Sequence, residues 1–187
     1  MRILRLIRLI LVFLLMAASS MIAQSPIDGK VVGSSYENSY FKFSYVWPAI
    51  LRPFDTASLH LPQSSPYANE FLLFSARQGD EPYGVVVLAV RLNAVTPHSK
   101  GIRDGVDFLD RVSRFNPEQH AVIVSRKHFT NAAGFVFDQL DYTENGTPSS
   151  AIAAQIGQFL IVFKCNAKSA ADLAEMNRSA IALRLIK

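Results

Sequence analysis

Four histidines, His60, His98, His120 and His128, are the first place to look for metal or acid–base chemistry in this chain of 187 residues. His120 and His128 would share one face of an unbroken strand, but eight residues of strand hold them ~26 Å apart. They cannot grip one metal ion. No His-x-x-x-His, Cys-x-x-Cys or Gly-x-Ser-x-Gly pattern occurs, and there is no glycine-rich phosphate loop. The sequence therefore nominates no catalytic residue, no metal and no cofactor, although a triad assembled only in three dimensions would leave no local trace. Asp104, Asp107 and Asp110 could be read as a metal or acid–base cluster. Arginines at helical spacing (Arg103, Arg111, Arg114) make them a solvated, charge-paired face instead.

Three other places carry reactive or recognition-type side chains. Cys165 is the single cysteine, and strand alternation puts it on the side of Phe159, Ile161 and Phe163, so a buried, inert thiol is expected. Asp138 interrupts the apolar face Val136, Leu140, Tyr142 and is expected as a buried charge. Either it is an acid with a raised pKa, or it is paired with Arg91 or Arg126 from a neighbouring strand. Trp47, Pro48 and Tyr67 border or lie in a proline-rich stretch and form the candidate binding surface, against the alternative that Trp47 closes the core at a strand end. Asn145-Gly146-Thr147 matches a glycosylation acceptor, but Asn-Gly is also the pair that supplies positive φ in a tight turn.

The elements that must position these groups follow from periodicity. Residues 36–47 read as one aromatic strand with Phe41, Phe43 and Tyr45 on one face, stopped by Pro48. Strands are expected over 71–77 and 85–92, joined through the turn residues 78–82. Residues 102–115 form the clearest amphipathic helix, with Ile102, Val106, Phe108, Leu109, Val112 and Phe115 on one half of the wheel. Its opposite half offers the pairs Arg103/Asp107, Asp107/Arg111 and Asp110/Arg114. Strands over 121–129, 135–142, 150–156 and 159–166 follow, the last three joined by tight turns into an antiparallel meander. Ser169 and Asp172 resemble a capping box opening a second helix over 169–182. Strands such as 85–90 and 159–163 are apolar on both faces and need cover on both sides. The expected class is α+β, an α/β/α sandwich: a mainly antiparallel sheet of six or seven strands with helices packed on its faces.

The N-terminus speaks to location. Arg2, Arg5 and Arg8 precede the uncharged run Leu9–Ala18, and small or polar residues lead up to Ala23. This is the pattern of a secretory signal peptide over 1–23, and ten apolar residues fall short of the ~20 needed to span a bilayer. The expected division is a leader over 1–23, a flexible lead-in over 24–35 and one domain over 36–187. The formal charge of +4 shrinks once the leader's arginines are removed, leaving 16 basic and 15 acidic residues with no basic cluster. The cationic cluster that a nucleic-acid partner requires is missing from this sequence, so no nucleic acid is expected as a partner.

The order of parts resembles a known family. Tyr36-x-Asn38 followed by Phe41-Lys42-Phe43-Ser44-Tyr45-x-x-Pro48 resembles the opening of the PsbP-like superfamily. Phe159–Phe163, Ala167-Lys168-Ser169 and the helix with its short apolar tail resemble that superfamily's close. Two departures stand out: Lys42 sits where the family usually has glycine, and no tryptophan follows Pro48. The resemblance implies an exported or lumenal α/β/α domain with an accessory role, and it carries over no catalytic residue. The expected function is an exported, non-catalytic envelope accessory or binding module, periplasmic or extracellular, whose partner is an envelope protein or small ligand. Two alternatives stand beside it: an exported hydrolase with a spatially assembled site, and a membrane-surface protein anchored by an uncleaved leader.

Overall fold

A computed structural model describes residues 25–54, 70–94, 101–114 and 121–186. The leader over 1–23 and Tyr67 lie outside the described residues. Strands β1 (Gly29–Val32), β2 (Ser35–Asn38), β3 (Phe43–Val46), β4 (Arg52–Pro53), β5 (Glu70–Arg77) and β6 (Gly84–Arg91) come first, followed by helix α1 (Gly105–Arg114). Then come β7 (Val122–Thr130), β8 (Val136–Glu144), β9 (Thr147–Ile156) and β10 (Phe159–Asn166), helix α2 (Ala170–Ile181) and β11 (Arg184–Leu185). Among the described residues they form a seven-stranded sheet, β4-β5-β6-β10-β9-β8-β7, and a smaller sheet, β1-β2-β3-β11. Every pairing is antiparallel.

Alternation along the central strands builds two apolar clusters. Val87, Ala89, Ile161 and Phe163 join Phe43, Tyr45, Leu173 and Met176 in one cluster. Their immediate neighbours Leu88, Val90, Leu160 and Val162 join Phe108 and Leu109 in the other. Successive side chains of a strand point to opposite faces. So α2 and the small sheet cover one side of the large sheet, and α1 covers the other.

Several elements depart from the expected ones. The aromatic segment 36–47 is not one strand but two, because Asn38 folds the chain back. Its Oδ1 accepts from the Phe41 N–H at 3.0 Å, and Lys42 then takes φ +54°. Asn38 Nδ2 also donates to the Pro26 carbonyl and the Tyr36 hydroxyl. That clamp, with the four-residue pairing of β1 and β2, gives the lead-in 24–35 a strand where irregular chain was expected. Helix α1 begins at Gly105, since Asp104 Oδ1 accepts from the Asp107 N–H and caps it there. Asp110 does not meet Arg114 but takes the Arg126 guanidinium of β7 at 2.6 Å. The small sheet was not foreseen at all. Its last strand, the tail Arg184–Leu185, is placed by pairing with Ser44 and Phe43.

Other features stand as expected. Ser169 caps α2, its Oγ accepting from the Asp172 N–H. Asn145 and Gly146 turn the β8–β9 hairpin at φ +50° and +79°.

Candidate interaction surface

The two edges of the large sheet differ. At one end β4 is two residues long and contains Pro53, which has no N–H to offer. At the other end β7 runs for nine residues and, among the described residues, pairs with β8 on one side only. No described strand takes up its outer N–H and C=O groups, which suits them to pairing with another chain. Val122, Ile123 and Val124 are 62%, 49% and 66% exposed, an unusual density for three consecutive apolar residues. A register shift between Ile123 and Ser125 sets Val124 beside a groove of about 520 Å³ between β7 and α2. Phe129, Leu173 and Ile181 give that groove an apolar floor, and Lys127 and Arg178 stand among its polar residues.

Asp141 anchors the wall of the groove. It accepts from Gln139 Nε2 at 2.6 Å, Ser125 Oγ at 2.7 Å, Lys127 Nζ at 3.0 Å and Asn177 Nδ2 at 3.3 Å. Burial works against its charge, but the bonds from Gln139, Ser125 and Lys127 outweigh it and hold the carboxyl below its usual range. Asn177 in turn accepts from Ser150 Oγ, so this network ties α2 to β7, β8 and β9. No feature of the sequence pattern singled out Asp141. The run Val122-Ile123-Val124 gave no signal either, because an apolar run without alternation reads as buried strand.

The residues nominated from sequence fall elsewhere. Trp47 is 8% exposed and stacks on Phe74 at 5.1 Å, and Pro48 is buried behind it. They close the core at the end of β3, where Trp47 packs on the inner face of the small sheet. Asp138 pairs with neither Arg91 nor Arg126. It lies opposite His128 in the β7–β8 register, and its Oδ1 is 2.7 Å from His128 Nδ1. The carboxylate is only partly buried, at 16% side-chain exposure. A cavity of about 210 Å³ borders this pair, lined also by Val106, Leu109, Arg126, Lys127 and Gln139. Among the described residues no hydroxyl or thiol lines this cavity. Cys165 is fully buried, and burial pushes its thiol up to about 12, which keeps it protonated and unreactive. Among the described residues no group of His, Cys, Asp and Glu is placed to hold a metal ion. No helix among them is long and apolar enough to cross a membrane.

No protein-family model matches the sequence, and no curated protein matches it. The solved structure of cyanobacterial PsbP (CyanoP) from Synechocystis sp. PCC 6803 is similar in fold. It is 15% identical, with a TM-score of 0.54, and the match covers 84% of this chain and 98% of that one. The PsbP-like architecture implied by the aromatic opening and the closing strand and helix is thus the architecture of this chain.

Proposed function

We propose that this chain, a PsbP-like domain in fold, is an exported accessory module that binds another protein through the β7 edge, without catalysis of its own. The observation that carries this is the open nine-residue edge strand with its exposed Val122–Val124 run. The occupant we assign is an extended segment of a partner protein, added beside β7, with an apolar side chain in the α2 groove. A second copy fits less well. Antiparallel self-pairing of β7 centred on Lys127 sets Arg126–His128 against themselves, and centred on Ser125 sets them against Val122–Val124, and neither of these registers is complementary. Export, to the periplasm or beyond the cell, rests on the arginine-led apolar leader, and the three-layer α/β/α reading rests on the two clusters either side of the large sheet.

A photo-crosslinker placed at Val124 in the full chain, expressed in its own cell envelope, tests the assignment. It should capture one dominant partner, and the same group at Arg52 on the closed edge should not. Capture of a second copy, or equal capture from both edges, overturns the reading. N-terminal sequencing of the exported chain should begin at Gln24 or within a few residues; an intact Met1 in the membrane fraction would mean an anchor. Among the described residues, the His128–Asp138 pair is what the hydrolase alternative has in its favour. Turnover on an ester and phosphate panel that His128→Ala abolishes would establish it against the binding module.

A further inference from the structure

Away from β7, the end of the large sheet at the Gly157–Gln158 turn holds a cleft of about 510 Å³. Arg91, Asn93, Arg103, Gln155 and Gln158 are its polar lining, and no carboxylate is among the lining residues. Its walls are fixed by backbone. The Leu92 N–H donates to the Gln158 carbonyl at 2.8 Å, and the Asn93 N–H donates to the Ile102 carbonyl at 2.7 Å. Asn93 holds φ +56°, and a Cβ on Gly101 would come within 2.6 Å of the Asn93 carbonyl carbon, so the chain returns there at the closest approach glycine permits.

The charge in this cleft is poorly compensated. Asp107 is the nearest counter-ion of Arg103, but its Oδ2 is already occupied. It accepts from the Arg103 backbone N–H at 3.1 Å and from Arg111 Nη2 at 3.0 Å. The Arg103 guanidinium is left at 3.8 Å, on a side chain 77% exposed. Arg91 is exposed and makes no ion pair among the described residues. Two guanidinium forks beside three amide side chains are donor-rich, and the fork geometry of arginine matches carboxylate and phosphate oxygens.

We propose that this cleft binds a small ligand through a multiply charged oxyanion, phosphate or carboxylate, held between Arg91 and Arg103. The site is separate from the β7 edge and stands or falls without it.

Calorimetric titration of the full chain with pyrophosphate and with citrate, at constant ionic strength in chloride, provides the test. Saturable binding of one equivalent of either is expected, and which one binds tighter identifies the oxyanion. Arg91→Gln and Arg103→Gln should each weaken it by about tenfold. Arg52→Gln, on β4 at the far end of the sheet, should leave it unchanged. Both cleft arginines are exposed, so an unchanged melting temperature separates lost binding from lost fold. No saturation by either anion, or equal affinity in the cleft variants, overturns the proposal. Binding to phosphatidylglycerol vesicles with no response to the soluble anions also overturns it, in favour of a membrane surface.

Discussion

Lys42 holds φ +54° between Phe41 and Phe43, while its carbonyl accepts the Ile186 N–H at 3.0 Å. The PsbP-like pattern favours glycine at this position, and the backbone gives the reason: a left-handed conformation is free of steric cost only without a Cβ. The departure noticed in the sequence is therefore a strained residue, kept in place by Asn38 before it and the β3–β11 pairing after it. Lys42→Gly should raise stability by about 0.5–1 kcal/mol, the relief being partly offset by a more flexible unfolded chain. Lys42→Val should lower it by more than 1 kcal/mol or so, since a β-branched residue tolerates positive φ least. Urea denaturation of both variants checks the sign.

A second expectation at this scale concerns Asp141, whose carboxyl is held below its ordinary range by Gln139, Ser125 and Lys127 despite burial. A depressed carboxylate stabilises the fold above its unfolded pKa, near ~4. That contribution is lost as pH falls through the lower folded value. Asp141→Asn should therefore be destabilising near neutral pH, by roughly 1–3 kcal/mol because it also strands Lys127 and Ser125. The gap to the parent chain should narrow as the solution is acidified below ~4. Denaturation midpoints of both chains across that range give the answer, and a constant gap would mean that the charge of Asp141 contributes nothing.

At the scale of elements, β7 is a long edge strand with most of its residues exposed, and its exposure is a matter of position rather than composition. The same apolar run on β10 would be core. A lysine at Val122 or Val124 would oppose strand addition by placing a charge where a partner's side chain must pack. Val122→Lys with Val124→Lys should abolish partner capture while shifting stability by no more than ~0.5 kcal/mol, as both residues face solvent. Crosslinking yield and melting temperature, measured together, separate the two effects.

The helices, the meander and the two-faced burial of β6 and β10 were legible because each rests on local periodicity or on a turn pair such as Asn145-Gly146. The small sheet was not legible. It depends on one asparagine side chain folding 36–47 back on itself and on a two-residue tail pairing with β3, and neither leaves a period to read. The burial of Trp47 was not legible for a related reason. Trp47 looked available because it ends a strand next to prolines, whereas burial against Phe74 depends on how two sheets stack. Asp138 meets a histidine and neither of the two arginines considered, because the turn over 131–135, closed by the Asn131 N–H donating to the Phe135 carbonyl, sets the β7–β8 register that places His128 opposite it.

For the molecule as a whole, the decisive feature is that one set of strands supplies both apolar clusters. Val87 and Leu88, or Ile161 and Val162, are chain neighbours that face opposite layers. Removing packing on the α1 side must loosen strands that also carry the α2 side, so the layers cannot unfold independently. Phe108→Ala, which empties a 2%-exposed position under α1, should cost about 3–5 kcal/mol. Trp47 is the only tryptophan in the chain and sits in the opposite cluster, stacked on Phe74, so its fluorescence reports the far side of the sheet. In Phe108→Ala the Trp47 transition and the loss of far-ultraviolet circular dichroism should both move to lower urea and remain coincident, as one cooperative unit requires. If Trp47 keeps its parental midpoint while the ellipticity falls earlier, the α1 layer is a separable unit and the two clusters are not coupled through their shared strands.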